Sequence, residues 1–447
     1  MINIFLSNII NSTIFLTIGR YLLIILPIVI PLLLFMAFWM LRFRWLTMKY
    51  VEAQQTCMLE IKLPKEILKS PAGMEIFFSH LNQSGAGNYG EAFIDGRTRP
   101  WFSCELVSTG GVVRFFVWCS QIKFKNLVES QLYAQYPNIE ILEAEDYTKD
   151  FYYDLDKYPL FALQYALTKP DPFPIKTYID YGLDEDPKEE YKVDPITSVI
   201  EFLGSLKKGE NVWIQILLQK HEPESWKHGV MQIENPKKPN FMHKIWMSIF
   251  GKSKDLKSEV DEEIKKIKKS TLTEAEKGSD EKVMRFPNPT KGQLEVIAAL
   301  ERSSTKTPFD CMIRSVYITE KGAFIPGNIT AMVGSLKQYG SLKLNGFKPG
   351  TISDPKDEKK DIGRIFPFYQ RILDEETRAV KRNLLHAYKL RSFFQRPFKN
   401  YKKSKPFVLT TEELATIFHF PSGMVSQTPT LSRVGSKKSQ SPADLPV

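Results

Sequence analysis

The sequence predicts an α+β protein: a single N-terminal transmembrane helix, two ferredoxin-like (βαββαβ-type) cytoplasmic domains, and a flexible C-terminal tail. Three observations predict it. Tyr21–Leu41 is an uninterrupted apolar run without a charge. Residues 56–146 alternate between period-two and helical hydrophobic patterns in the order β-α-β-β-α-β. A looser version of that alternation returns over residues 160–345.

The apolar run YLLIILPIVIPLLLFMAFWML can cross a hydrocarbon core of about 30 Å as a helix rising about 1.5 Å per residue. Pro27 and Pro31 are tolerated inside a membrane helix, with a kink. Arg20 bounds it on one side and Arg42, Arg44 and Lys49 on the other, with Trp39 and Trp45 near the basic end, where indoles favour the interface. The positive-inside rule then puts the N-terminus outside the cell membrane and the rest of the chain in the cytoplasm. A cleaved signal peptide fits less well, because a basic leading region and a small-residue cleavage site are both missing. Residues 1–20, without a side-chain charge before Arg20, form a short extracytoplasmic or interfacial segment.

Behind the anchor, Thr56–Leu63 reads as a strand. Ser70-Pro71 opens a helix carrying Met74, Phe77, Phe78 and Leu81. Trp101–Thr109 and Val112–Ser120 flank Gly110-Gly111, a hairpin signal. Phe124–Tyr136 is helical, Pro137-Asn138 stops it, and Ile139–Ala144 closes the first domain. In the second domain, Leu160–Ile179 is extended, Asp194-Pro195 caps a helix, Val212–Lys220 is a strand, and Phe309–Thr319 is another. Asn328 caps a helix with Ile329, Met332 and Val333. A charged insertion, about 223–289, interrupts this domain. Its first part is either an amphipathic helix against the membrane or a packed excursion. Its second part, Lys252–Val283, balances nine basic against nine acidic residues and is a solvated helix or a loop.

The chain has 447 residues and a formal net charge of +10. Arg378–Lys405 holds ten basic residues and no acidic one, which equals that whole excess. Lys381, Arg382, Lys389, Arg391, Arg396, Lys399, Lys402 and Lys403, interleaved with aromatics, are candidates to contact an anionic partner, lipid headgroup or DNA phosphate; the competing reading is a solvated helix face. This lies in the segment 362–421, which ends on the compact block FVLTTEELATIFHFP. There Phe407, Leu414, Ile417, Phe418 and Phe420 are candidates for partner docking. Residues 422–447 are Ser/Pro/Lys-rich and read as a disordered tail.

Signatures of catalysis are missing. The sole GKS, Gly251-Lys252-Ser253, has Trp246 where a phosphate-cradling loop needs its first glycine. Six dispersed histidines offer at best His221 and His228 with Glu222 and Glu224, a weak metal pattern, and His419 reads as structural. Cys57, Cys104, Cys119 and Cys311 have no ligand spacing and read as buried thiols. No enzyme activity, cofactor or metal is therefore expected. Phe115, Phe116 and Trp118 have the residue types of an RNA-stacking strand, but apolar hairpin residues are more often core, and no RNP-like motif accompanies them.

The membrane helix, the phrases WFSCELVSTGGVVRFFVWCS and LVESQLYAQYPNIEI, and FVLTTEELATIFHFPS before TPTLSRVGSKKSQSPADLP carry a resemblance. Together they resemble the N-terminal, non-ATPase region of membrane-anchored conjugation and type IV secretion coupling ATPases (HerA/FtsK-like, TraG-like), and an uncharacterised domain of bacterial conjugal-transfer proteins. In such proteins the last phrase leads into a motor with a Walker A loop. This chain ends at Val447, so no ATP-binding residue carries over. The resemblance implies a membrane-anchored scaffold of a DNA- or protein-translocation system. Its expected partners are the bilayer, a separate translocation ATPase or secretion-channel protein, DNA, and further copies of itself. The alternative is a membrane-tethered nucleic-acid-binding protein without a motor.

Overall fold

The computed structural model describes residues 13–64, 69–83, 94–149, 151–155, 157–184, 193–221, 256–270, 289–354, 367–392, 406–421 and 431. Two units are described separately. The first, Met1–Ala53 with Ala86–Thr98, is dominated by helix α1, Thr13–Glu52. This helix outruns the predicted span at both ends and contains Pro27 and Pro31. Among the described residues, the stretch long and apolar enough to cross a membrane is Val29–Glu52, with a mean hydropathy of 1.6. Leu32, Leu34, Phe35 and Leu41 are all about three-fifths exposed, an arrangement that water does not favour. The Arg42 guanidinium lies 5.6 Å from the Trp39 ring centroid and the Lys49 ammonium 5.2 Å from that of Trp45, one helical turn apart in each case.

The second unit is built on one antiparallel sheet. Its strands are β1 (Cys57–Lys62), β2 (Trp101–Thr109), β3 (Val112–Cys119), β4 (Glu140–Glu143), β5 (Leu160–Leu167), β6 (Glu210–Lys220), β7 (Pro308–Thr319), β8 (Phe347–Ile352) and β9 (Phe407–Thr410). Their order is β4-β1-β3-β2-β6-β7-β5-β8, with β9 on β7. The first four strands run 4-1-3-2, and the next four repeat that order in reverse direction across the sheet. The two halves meet where β2 pairs β6 along its full length, Trp101↔Gln219 to Thr109↔Asn211. Both halves share one sheet and one apolar core. The reason is an open edge on each half, whose unpaired N–H and C=O groups are satisfied by the other.

The helices are α2 (Ala72–His80), α3 (Lys125–Gln135), α4 (Pro195–Gly204), α5 (Leu256–Ser270), α6 (Lys291–Ser304), α7 (Pro326–Gly334), α8 (Pro367–Lys389) and α9 (Thr411–Ile417). Asp194 caps α4 through its carboxylate and Pro195 occupies its first turn, as the sequence predicts. The β2–β3 hairpin turns on Gly110 and Gly111, at φ +57° and +88°. A side chain at Gly111 would come within 2.6 Å of the Leu206 carbonyl, so only glycine fits. The predicted cap Asn328 lies inside α7, whose cap is Ile325; its amide donates to Glu210 Oε1 instead.

Strand parity sorts the side chains. Leu59, Cys104, Phe115, Leu163, Ile214 and Ile313 join the main core with Phe77, Val128, Ile200 and Met332 from the helices. The opposite face carries Ser103, Glu105, Trp118, Gln215 and Arg314, all buried.

Candidate functional site

Each of three central strands has a strongly polar side chain near its middle, flanked by apolar residues: Glu105 in WFSCELVST, Gln215 in ENVWIQILLQK and Arg314 in PFDCMIRSVYIT. Pairing places them directly opposite one another, Glu105↔Gln215 and Gln215↔Arg314, so they form a row across the seam between the halves. A buried charge needs a partner. Here Gln215 donates to Glu105 Oε1 (3.0 Å) and Arg314 to Gln215 Oε1 (3.3 Å). Ser103 and Tyr147 hydroxyls donate to Glu105 at 2.7 Å each.

The end of α8 lands on this row. Arg391 has φ +47°, the left-handed region. Its N–H donates to the Tyr388 carbonyl and that of Ser392 to the Ala387 carbonyl, a Schellman ending in which glycine is the usual residue. Arginine stands there because its side chain is needed. It reaches Glu105 through Nε (2.8 Å) and Nη2 (3.2 Å), and Asp146 through Nη1 (2.7 Å) and Nη2 (3.2 Å). Side chains add further donors at this helix end: Arg314 donates to the Ala387 and Ser392 carbonyls, Gln215 to that of Tyr388, and the Trp101 indole to that of Arg391. Burial opposes the charge on Asp146, but the Arg391 hydrogen bond and charge outweigh it and hold the carboxyl below its ordinary value. Burial likewise opposes the Arg391 charge, and Glu105 and Asp146 overcome it and raise its pKa.

The predicted anionic contacts divide accordingly. Arg391 is only 2% exposed and belongs to the interior, which corrects its place among them. Lys381 pairs with Asp354 at 2.7 Å, and Lys389 donates to the Phe151 carbonyl at 2.8 Å. Arg382 lies 5.3 Å from the Tyr153 ring centroid and keeps an exposed side chain. Arg396, Lys399, Lys402 and Lys403 lie outside the described residues, as does the tail apart from Leu431. For the anchor residues, Trp39, Leu41, Arg42 and Trp45 are exposed on α1, while the side chains of Tyr21 and Arg44 lie outside the described set.

The C-terminal block is the second correction. Phe407, Leu414, Ile417, Phe418 and Phe420 are all buried, at most 4% exposed, so they do not present a docking surface. β9 pairs β7 from Pro308↔Thr410 to Cys311↔Phe407, continuing the edge that β5 occupies from Arg314 onward. The Phe418 ring meets Phe78 and Phe115, and Phe420 meets Phe115 and Tyr136, at centroid distances between 4.9 and 6.5 Å. Polar hooks fix the turn between β9 and α9. Glu413 accepts from Thr410 N and Ile175 N, both at 2.8 Å. Glu412 pairs with Arg302 (3.0 Å), and Tyr178 N donates to the Thr416 hydroxyl (2.9 Å). His419 bridges the Ala415 carbonyl and Asp194, the cap of α4, at 2.9 Å each, which fits its structural reading. The block therefore ties the β1–β4 half to the β5–β8 half.

The aromatic candidates for nucleic-acid stacking are internal too. Phe115 packs in the core, Phe116 against Tyr147, and Trp118 under Arg391. His221 hydrogen-bonds Asp310 at 2.8 Å, while His228, Glu222 and Glu224 lie outside the described residues. Among the described residues no three His, Cys, Asp or Glu side chains gather as metal ligands would. Sequence reading passed over Glu105, Gln215 and Arg314, although a strongly polar residue in the middle of a mostly apolar strand was a usable signal.

Fold and site define a mixed α+β protein with one apolar N-terminal helix and a large antiparallel sheet, pinned by buried charge. The chain belongs to the family described as a domain of unknown function (DUF8128), whose model matches residues 84–433. Comparison with curated proteins gives no match.

Proposed function

We propose that the chain is a membrane-anchored scaffold of a DNA- or protein-translocation system, with two ferredoxin-like units held at the cytoplasmic face of the cell membrane. It acts without its own ATPase site and engages a separate motor or channel. The observation that carries the reading is the pairing, in one chain, of an exposed apolar helix of spanning length with a large α+β sheet. The two 4-1-3-2 strand orders support the count of two ferredoxin-like units, and the resemblance to coupling-ATPase N-terminal regions supports the setting. A scaffold reading also gives the buried charges a purpose. They hold helix ends and the C-terminal block in fixed positions, which suits a protein that presents surfaces to partners. The exposed Arg378 and Arg382, with the basic residues of 393–405, supply the electrostatic attraction for DNA or anionic lipid.

The test is capture of the full chain from detergent-solubilised membranes, followed by mass spectrometry of what accompanies it. Recovery of a nucleotide-hydrolysing translocation motor or a channel subunit is expected. Recovery of neither, or ATP hydrolysis by the purified chain alone, contradicts the proposal.

A further inference from the structure

We propose that Cys57 and Cys119 form a reversible cross-strand disulfide, making the first rung of the β1–β3 ladder a site of oxidative modification by hydroperoxides. Four cysteines are buried and free in the described structure, and only these two face each other in register. Their pairing can be worked out further. The Ser120 N–H donates to the Trp101 carbonyl, so even-numbered residues of β3 point their backbone groups at β2. Odd-numbered ones, Cys119 among them, therefore point at β1. Cys57 and Cys119 thus occupy a hydrogen-bonded rung, where Cα atoms stand about 5.5 Å apart, within the roughly 4.4–6.8 Å that a disulfide spans. Both side chains belong to the same core cluster, on one face of the sheet.

Cys104 is the internal control. It sits opposite Val117, diagonal to Cys119, and a diagonal pair is about 7–8 Å apart, too far to bridge without moving the backbone. Cys311 belongs to β7, three strands from β3.

Reactivity is arranged unequally. The Cys119 thiol, directly opposite on the rung, lowers the Cys57 pKa against the effect of burial. Of the nearby surface ion pair, Glu143 raises it by more than Lys125 lowers it, so the Cys119 contact is what carries the lowering. The same contact and burial push the Cys119 thiol up. Cys57 is accordingly the attacking thiolate and Cys119 the resolving thiol. Cys57 thiolate attacks one peroxide oxygen, the O–O bond breaks, and a sulfenic acid and hydroxide form. The Cys119 sulfur then attacks the sulfenic sulfur; its proton and the departing hydroxyl leave as water. Two electrons pass from the thiols to the peroxide. Cβ atoms on a hydrogen-bonded rung start about 5 Å apart and must draw in to about 3.8 Å, so the bridge is strained and a small thiol reduces it readily.

The test uses the full chain in detergent micelles. It is treated with hydrogen peroxide, free thiols are blocked, and the chain is digested with trypsin without reductant. The expected product joins the peptide Tyr50–Lys62 to Phe115–Lys123, lighter by two hydrogens than their sum, and is lost on adding dithiothreitol. Cys104→Ser retains the linked peptide and Cys57→Ser lacks it. A linked peptide containing Cys104 in place of Cys57, or a Cys57 oxidised to sulfinic acid beside a free Cys119, would overturn the proposal. So would two thiols that both remain reduced.

Discussion

Replacing Arg391 separates the backbone cost of its position from the electrostatic gain of its side chain. At φ +47° a non-glycine residue carries roughly 1–2 kcal/mol of steric strain. Its guanidinium meets Glu105, which is fully buried, and Asp146. Removing one partner of such a pair costs about 3–5 kcal/mol, mostly because the other charge is left behind. Arg391→Ala keeps the strain and loses the pair, so its expected loss is about 3–5 kcal/mol. Arg391→Gly relieves the strain as well, leaving a net loss of about 1–4 kcal/mol. Arg391→Lys keeps a charge but not the planar fork that serves two carboxylates, and falls nearer to wild type than Ala does. The assay is urea unfolding of the full chain in micelles, followed by tryptophan fluorescence; Trp101, Trp118 and Trp213 all lie at this cluster. An alanine variant within about 0.5 kcal/mol of wild type would refute the account, as that is the range of a surface change. A glycine variant less stable than alanine would refute the strain argument.

Other expectations follow from the same contacts. Phe418→Ala should cost about 3–5 kcal/mol of stability, read as a lower urea midpoint; unchanged stability with weakened partner capture would restore the docking role the sequence suggested. Burial pushes the Glu413 carboxyl up to about 7 from an ordinary 4.5. A raised acid favours the folded chain below its ordinary value and loses that contribution as pH rises through the folded value. About 3 kcal/mol is therefore lost between roughly pH 4.5 and 7, and Glu413→Gln should flatten that slope in thermal melts across the window. Asp146 works in the opposite sense: held low, it stabilises above its ordinary 3.8 and loses this as pH falls, so Arg391→Ala should blunt the acid limb of the stability profile. Lys381→Ala, at a partly exposed pair with Asp354, should change the stability read from urea unfolding by no more than about 1 kcal/mol.

Much of the sheet was legible because hydrophobic parity is local. The Gly110-Gly111 turn, the Asp194-Pro195 cap and the strand runs before and after them are set by neighbouring residues. The joining of the two halves was not, since β2 pairing with β6 is a contact across a hundred residues that no local period records. The basic segment misled for a related reason. Counting charge along 378–405 cannot reveal that Asp354, Glu105 and Asp146, distant in sequence, meet Lys381 and Arg391. The C-terminal block looked like a docking motif because its apolar residues are compact in sequence; the surface awaiting them is in this same chain. Its Thr410–Glu413 capping box, by contrast, is a local pattern set by neighbouring residues.

The central claim is membrane anchoring through α1, and alkaline carbonate extraction of membranes from cells expressing the full chain tests it most directly. An integral anchor predicts that the chain stays in the pellet at high pH and high salt and is released only by detergent. Release into the supernatant by carbonate alone would contradict it.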